Sequence, residues 1–132
     1  MENLDADIKV NIQKFKTDFA DCSDFLIKEA YTDGKKCFFA VMDGLINSLQ
    51  LSEMIVNPVL QAKIDFQSPM DHYEKLKTTC INSVELNEAY TYDDAYYFLM
   101  CGFCVFMLDG CPKAMAMGIQ GWQKRITSDP QN

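Results

Sequence analysis

Cys101-Gly102-Phe103-Cys104 is the single Cys-x-x-Cys of the chain. In thioredoxin-like enzymes such a pair follows a strand and opens a helix, where the helix dipole lowers a thiol pKa. Here it falls where a helical pattern ends and an apolar strand pattern begins. The dipole at that end has the wrong sign to activate a thiolate. The pair therefore reads as buried structural cysteines, with a thiol oxidoreductase as the outlying alternative. Zinc needs about four ligands, and no second Cys/His pair stands at a suitable spacing. His72, the only histidine, lies between Asp71 and Tyr73 in a polar stretch. It reads as a solvated surface side chain. No Gly-x-Ser-x-Gly elbow, dinucleotide fingerprint or Walker-type loop is present. Catalytic residues, a metal and a cofactor are all unsupported.

Two apolar runs each end in Asp-Gly. Phe38-Phe39-Ala40-Val41-Met42 leads into Asp43-Gly44, and Phe103-Cys104-Val105-Phe106-Met107-Leu108 into Asp109-Gly110. If these runs are adjacent strands of an open α/β sheet, Asp43 and Asp109 become a carboxylate pair beyond the strand ends, where such sheets bind ligands. The plainer reading has each Asp accepting backbone hydrogen bonds in its turn, with Asp43 capping the next helix. Near the end of the chain, Trp122 and Arg125 in Gly121-Trp122-Gln123-Lys124-Arg125 are candidate interface anchors, since both types are enriched at binding hot spots. The alternative is a Trp covering the sheet edge beside a solvated Arg.

The elements around these residues follow from periodicity. Leu4, Ile8, Ile12, Phe15 and Phe19 form a helical stripe over 4–19, with Asp5 and Asp7 in the favoured first turn. Residues 25–31 read as a strand with one solvated face. Asp33-Gly34 makes a hairpin turn, and 36–42, apolar on both faces, belongs in the middle of a sheet. Leu45, Ile46, Leu49, Met54, Ile55, Val59 and Leu60 predict helix, with Ser52 capping a second piece and Pro58 kinking or splitting it. Ser68-Pro69 is a break before a short helix over 70–80. Residues 84–90 predict a strand, Thr91 caps a helix over 92–101, and Gly102 ends it. Residues 103–108 and 114–119 are two further strands. The expected fold class is α/β (α+β), a mixed sheet of four or five strands with helices packed on it. Only about eight residues echo between the halves, far short of a solenoid repeat.

The bulk properties narrow the function classes. The chain has 132 residues, 48% of them hydrophobic, which suits one compact lobe with a substantial core. Its net charge of −7, from 12 Lys+Arg against 19 Asp+Glu, argues against a nucleic-acid partner and weakly against an anionic membrane surface. No apolar stretch reaches the roughly 20 residues of a membrane helix, and the acidic N-terminus is neither a signal nor a transit peptide. The expected compartment is the cytosol, where the six cysteines stay reduced. The last residues, Ser128-Asp129-Pro130-Gln131-Asn132, look like a lead into further sequence.

An ordered set of motifs resembles the spore germination receptor A-subunit (GerA) family. It begins with residues 19–31, Gly34-Lys35-Lys36 and Ala40-Val41-Met42-Asp43-Gly44-Leu45-Ile46, then Asn57-Pro58-Val59-Leu60. It continues with Cys101-Gly102, Phe106-Met107-Leu108-Asp109-Gly110 and Lys113-Ala114. Gly121-Trp122-Gln123-Lys124-Arg125 and Asp129-Pro130-Gln131 close the set. The likeness spans residues 10–132. It implies that 1–132 is a single soluble lobe, the first half of a two-lobe N-terminal region of a larger membrane protein. It further implies a non-enzymatic part in nutrient-triggered germination, through receptor assembly and signal relay. The implied partners are B and C subunits, other A subunits and a small-molecule germinant, with the full protein in the spore inner membrane and this lobe on the cytosolic, spore-core side. A free-standing small-molecule sensor binding at Asp43 and Asp109 is the competing reading.

Overall fold

Among the described residues, five strands and four helical rods make three layers, helix on sheet on helix. A computed structural model of the chain describes residues 2–79 and 85–118. Helix α1 (Ile8–Asp18) leads to the hairpin β1 (Phe25–Thr32) and β2 (Lys35–Met42). A rod follows, made of α2 (Ser48–Leu51), a π-helical turn (Ser52–Val56) and α3 (Asn57–Leu60). Then come α4 (Pro69–Thr79), β3 (Glu85–Ala89), α5 (Tyr92–Met100), β4 (Cys104–Leu108) and β5 (Ala114–Gly118). The strands lie in the order β1-β2-β4-β5-β3. Every neighbouring pair is antiparallel, so the mixed directions expected from the sequence are corrected.

Residues 37–42 of β2 and all of β4 are apolar because each face of the sheet is covered there. Side chains alternate between faces along a strand, and the two cores divide accordingly. Phe38, Ala40 and Met42 of β2, with Val105 and Met107 of β4, meet Ile8, Ile12 and Phe15 of α1 and Ala95 and Leu99 of α5. Cys37, Phe39 and Val41, with Cys104, Phe106 and Leu108, meet Ile55, Val56 and Val59 of the rod and Tyr73 and Leu76 of α4. Strand β5 serves both, with Ala114 in the first core and Met115 and Met117 in the second.

Helix ends follow local chemistry. Asp7 is the N-cap of α1, accepting from the Lys9 N–H, so α1 starts later than its stripe and Asp5 lies before it. Buried Asn11 secures that approach. It donates to the Asp5 carbonyl (2.7 Å) and accepts from the Asp5 N–H (3.0 Å) and the Tyr92 hydroxyl (2.6 Å). Thr91 caps α5 and Gly102 follows its end at φ +91°, both as expected. Asn47, rather than Asp43, caps the next helix, accepting from the Gln50 N–H. Ser52 does not N-cap a second piece, because the chain stays right-handed helical through it. The rod absorbs Pro58 with a π turn: the Asn57 N–H reaches back five residues to the Ser52 carbonyl, immediately before the residue that lacks an N–H.

The β4–β5 turn ties the two layers of helices together. Asp109 accepts from the Ile8 N–H at the start of α1 (3.2 Å), and the Gly110 N–H donates to the Ala6 carbonyl (2.7 Å). On the other side Gly110 abuts Pro69, the first residue of α4. Both outer strands carry charge. Edge strand β1 has Lys28 and Glu29 at its middle, and edge strand β3 carries Glu85 and Glu88.

Candidate functional site

The antiparallel order separates the two aspartates. Asp109 lies beside Lys36, whose carbonyl accepts its N–H (2.9 Å), while Asp43 follows the far end of the same strand β2. Seven residues of strand separate the two positions, roughly 20 Å. They form no carboxylate pair. The crevice rule that suggested one applies to parallel strands, whose C-terminal ends share an edge. Asp109 instead holds the start of α1, and Asp43 is exposed, its N–H donating to the Asp24 carbonyl (2.7 Å).

Of the Cys-x-x-Cys pair only Cys104 is buried as expected; Cys101 is half-buried. Cys104 is fully buried, and burial pushes its thiol far above the ordinary range. Burial likewise pushes Cys37 up to about 12. Cys101 is the C-cap of α5, at the negative end of that helix's dipole. Neither buried thiol is poised as a nucleophile. Among the described residues, no group of three or more His, Cys, Asp and Glu side chains is arranged to hold a metal ion.

His72 corrects the sequence reading outright. Its side chain is 0% exposed, on the inner side of α4, and its ring stacks flat on Phe66 with centroids 3.9 Å apart. The polar neighbours in sequence misled because helix period, not adjacency, decides which way a side chain faces. His72, Tyr73 and Leu76 form the buried face of α4, while Asp71 and Lys75 pair outside it at 3.2 Å.

An ionic cluster that sequence reasoning missed joins α4 to β3 and the β4–β5 turn. Glu88 accepts from the Tyr73 hydroxyl (2.9 Å) and from Lys77 (3.1 Å), and lies 3.3 Å from Lys113. Glu74 completes it, 2.8 Å from Lys113 and 3.0 Å from Lys77. Burial by itself would raise the Glu88 carboxyl. The bonds from Lys77, Tyr73 and Lys113 outweigh it and hold the group below the usual carboxylate range. Burial and the Glu88 carboxylate push the Tyr73 hydroxyl far above its usual range. Two ammonium groups thus balance two carboxylates, and the cluster clamps elements rather than presenting a free charge. Only the Glu74–Lys77 spacing was visible in the sequence.

A lined depression lies between the sheet and the rod. A groove of about 210 Å³ runs between the β1–β2 hairpin and the rod, bordered by Leu26, Lys28, Phe39, Val41, Leu51 and Val56. Its walls are apolar apart from Lys28. Trp122 and Arg125 lie outside the described residues.

A sequence model of the family described as "Bacillus/Clostridium GerA spore germination protein" matches residues 13–132. The chain belongs to this GerA family. Membership ties it to spore germination and agrees with the motif order. No curated protein sequence matches the chain significantly. Among solved structures, the fold is similar to the N-terminal domain of the A subunit of the Bacillus megaterium spore germinant receptor GerK3. The TM-score is 0.68 at 17% identity, over 91% of this chain and 49% of that one. The GerA-family chain thus spans about half the length of that solved domain. Among its described residues no helix is long and apolar enough to cross a membrane.

Proposed function

We propose that this chain is the first lobe of the N-terminal region of a spore germinant receptor A subunit, acting without catalysis in receptor assembly and signal relay. The observation that carries the reading is the family match over residues 13–132. The likeness of fold to half of an A-subunit N-terminal domain supports it. In this reading a second lobe and membrane spans follow. The full protein sits in the spore inner membrane with this lobe on the spore-core side. Its partners are B and C subunits and further A subunits, and Trp122 and Arg125 anchor an interface. The buried, unactivated thiols and the separation of Asp43 from Asp109 accord with a non-enzymatic role.

The test is made in the full-length subunit in sporulating cells. Trp122→Ala with Arg125→Ala is expected to weaken association of the A subunit with its B and C partners about thirtyfold, the scale of losing one hot spot, and to lower the amount recovered with them. Nutrient-triggered germination should slow with it. Normal recovery and normal germination remove the interface role of this pair.

A second reading, direct binding of a small molecule, has the groove beside β1 in its favour. Titration with amino acids, nucleosides and sugars, followed by amide NMR, is expected to move Leu26, Val41 and Val56 together. No shift in the groove at millimolar ligand rejects it. Shifts at Asp43 or Asp109 would instead place ligand at either turn separately.

A further inference from the structure

His72 is the one described side chain that is fully buried, titratable near neutral pH and without a hydrogen-bond partner on either ring nitrogen. Buried polar nitrogens are normally satisfied, so this ring stands out. Three segments converge on it. Helix α4 carries it, and the strap before α4 stacks Phe66 on it. The β1–β2 hairpin tip brings the Asp33 carboxylate to 3.9 Å from Nε2. Asp33 also accepts from the Ile64 N–H of the strap (2.7 Å), and the neighbouring Thr32 hydroxyl donates to the Val59 carbonyl at the end of the rod (2.7 Å). Asp33 stands at φ +50° and Gly34 at φ +80°, so the tip is a tight turn with no slack to follow a displaced strap.

We propose that the junction of His72, Phe66 and the Asp33–Gly34 tip is a proton-sensitive latch, closed while the imidazole is neutral and released when it takes up a proton. The neutral ring can be buried against Phe66 at modest cost. A charged ring in the same place loses its water and gains as its nearest partner Asp33, which lies beyond hydrogen-bond distance and already serves Ile64. The charged groups facing the ring are Asp33 and Lys35 of the hairpin and Asp71 of its own helix. Lys35 repels the imidazolium, whereas Asp33 and Asp71 favour it. Burial outweighs both carboxylates and holds His72 below its ordinary value of 6.5. A base lowered on closing is bound more tightly by the proton in the open form. The closed form therefore weakens as pH falls below about 6.5, and the loss levels off below the closed-state pKa.

The ionic cluster does not obscure this change. Its carboxylates Glu74 and Glu88 are shifted down and its lysines up, away from the window. With one histidine in the chain, the ring signal is unambiguous by NMR. The His72 ring protons should titrate below 6.5. Protection of the Ile64 amide from hydrogen exchange, corrected for its intrinsic rate, should fall from pH 7.5 to 5.5, by up to about tenfold, the ceiling that an open-state pKa of 6.5 sets over that range. His72→Phe keeps the stack on Phe66 without a proton site, and its Ile64 protection should not change over that range. A ring that titrates at 6.5 or above with constant Ile64 protection overturns the latch, as does a His72→Phe protein that keeps the pH-dependent loss. Should His72→Phe fail to fold, the wild-type ring titration and Ile64 exchange decide between the same two outcomes.

Discussion

Replacing Phe15 with alanine is expected to cost about 3–5 kcal/mol of folding free energy, the range for emptying a large aromatic site in a packed core. Phe15 is fully buried between α1, the sheet and α5. Its ring lies edge-on to Phe38 and Tyr96 at 5.1 Å each and to Tyr92 at 6.2 Å. The cavity would open where three elements meet, so no single side chain can swing in to fill it. Urea unfolding followed by circular dichroism measures the loss. A drop under about 1 kcal/mol would mean that α1 collapses onto the sheet and that this core is less rigid than its contacts imply.

Gly110→Ala is the second large effect, expected to cost about 2–5 kcal/mol. One part is conformational: Gly110 stands at φ +89°, where a Cβ costs about 1–2 kcal/mol. The other is steric: the added Cβ would sit 2.6 Å from Pro69 Cγ and 2.7 Å from its Cβ, and overpacking adds about 1–3 kcal/mol. Proline cannot rotate out of the way. Gly34→Ala isolates the first part, since φ is +80° but nothing lies within 4 Å of its Cβ. The difference between the two urea midpoints measures the contact between the β4–β5 turn and α4. Equal losses would show that the contact yields without cost.

The local features of this fold were legible in the sequence because their causes are local. Asp33-Gly34 turns where two residues of positive φ are required, Thr91 and Gly102 bracket α5, and alternating Ala and Met fill both faces of β5. Pairing direction was not legible. Whether β2 meets β4 parallel or antiparallel depends on the path of the residues between them, and that choice moved Asp43 and Asp109 to opposite ends of the sheet. His72 was misread for a related reason. Its neighbours in sequence are polar, but the rotation of α4 turns it inward with Tyr73 and Leu76. Asn47 took the cap assigned to Asp43 because the chain runs on past Gly44 before it coils.

The charges on the two outer strands limit how copies of this lobe can meet. A two-fold pairing of β1 with itself about either central residue would set Lys28 against Lys28 or Glu29 against Glu29, and like charges directly opposite are unfavourable. Glu29 is already committed to Lys16 and Lys36, at 3.0 and 3.1 Å. Symmetric joining of two copies edge to edge through β1 is therefore disfavoured, and a two-fold pair of lobes is left to meet through helices and turns.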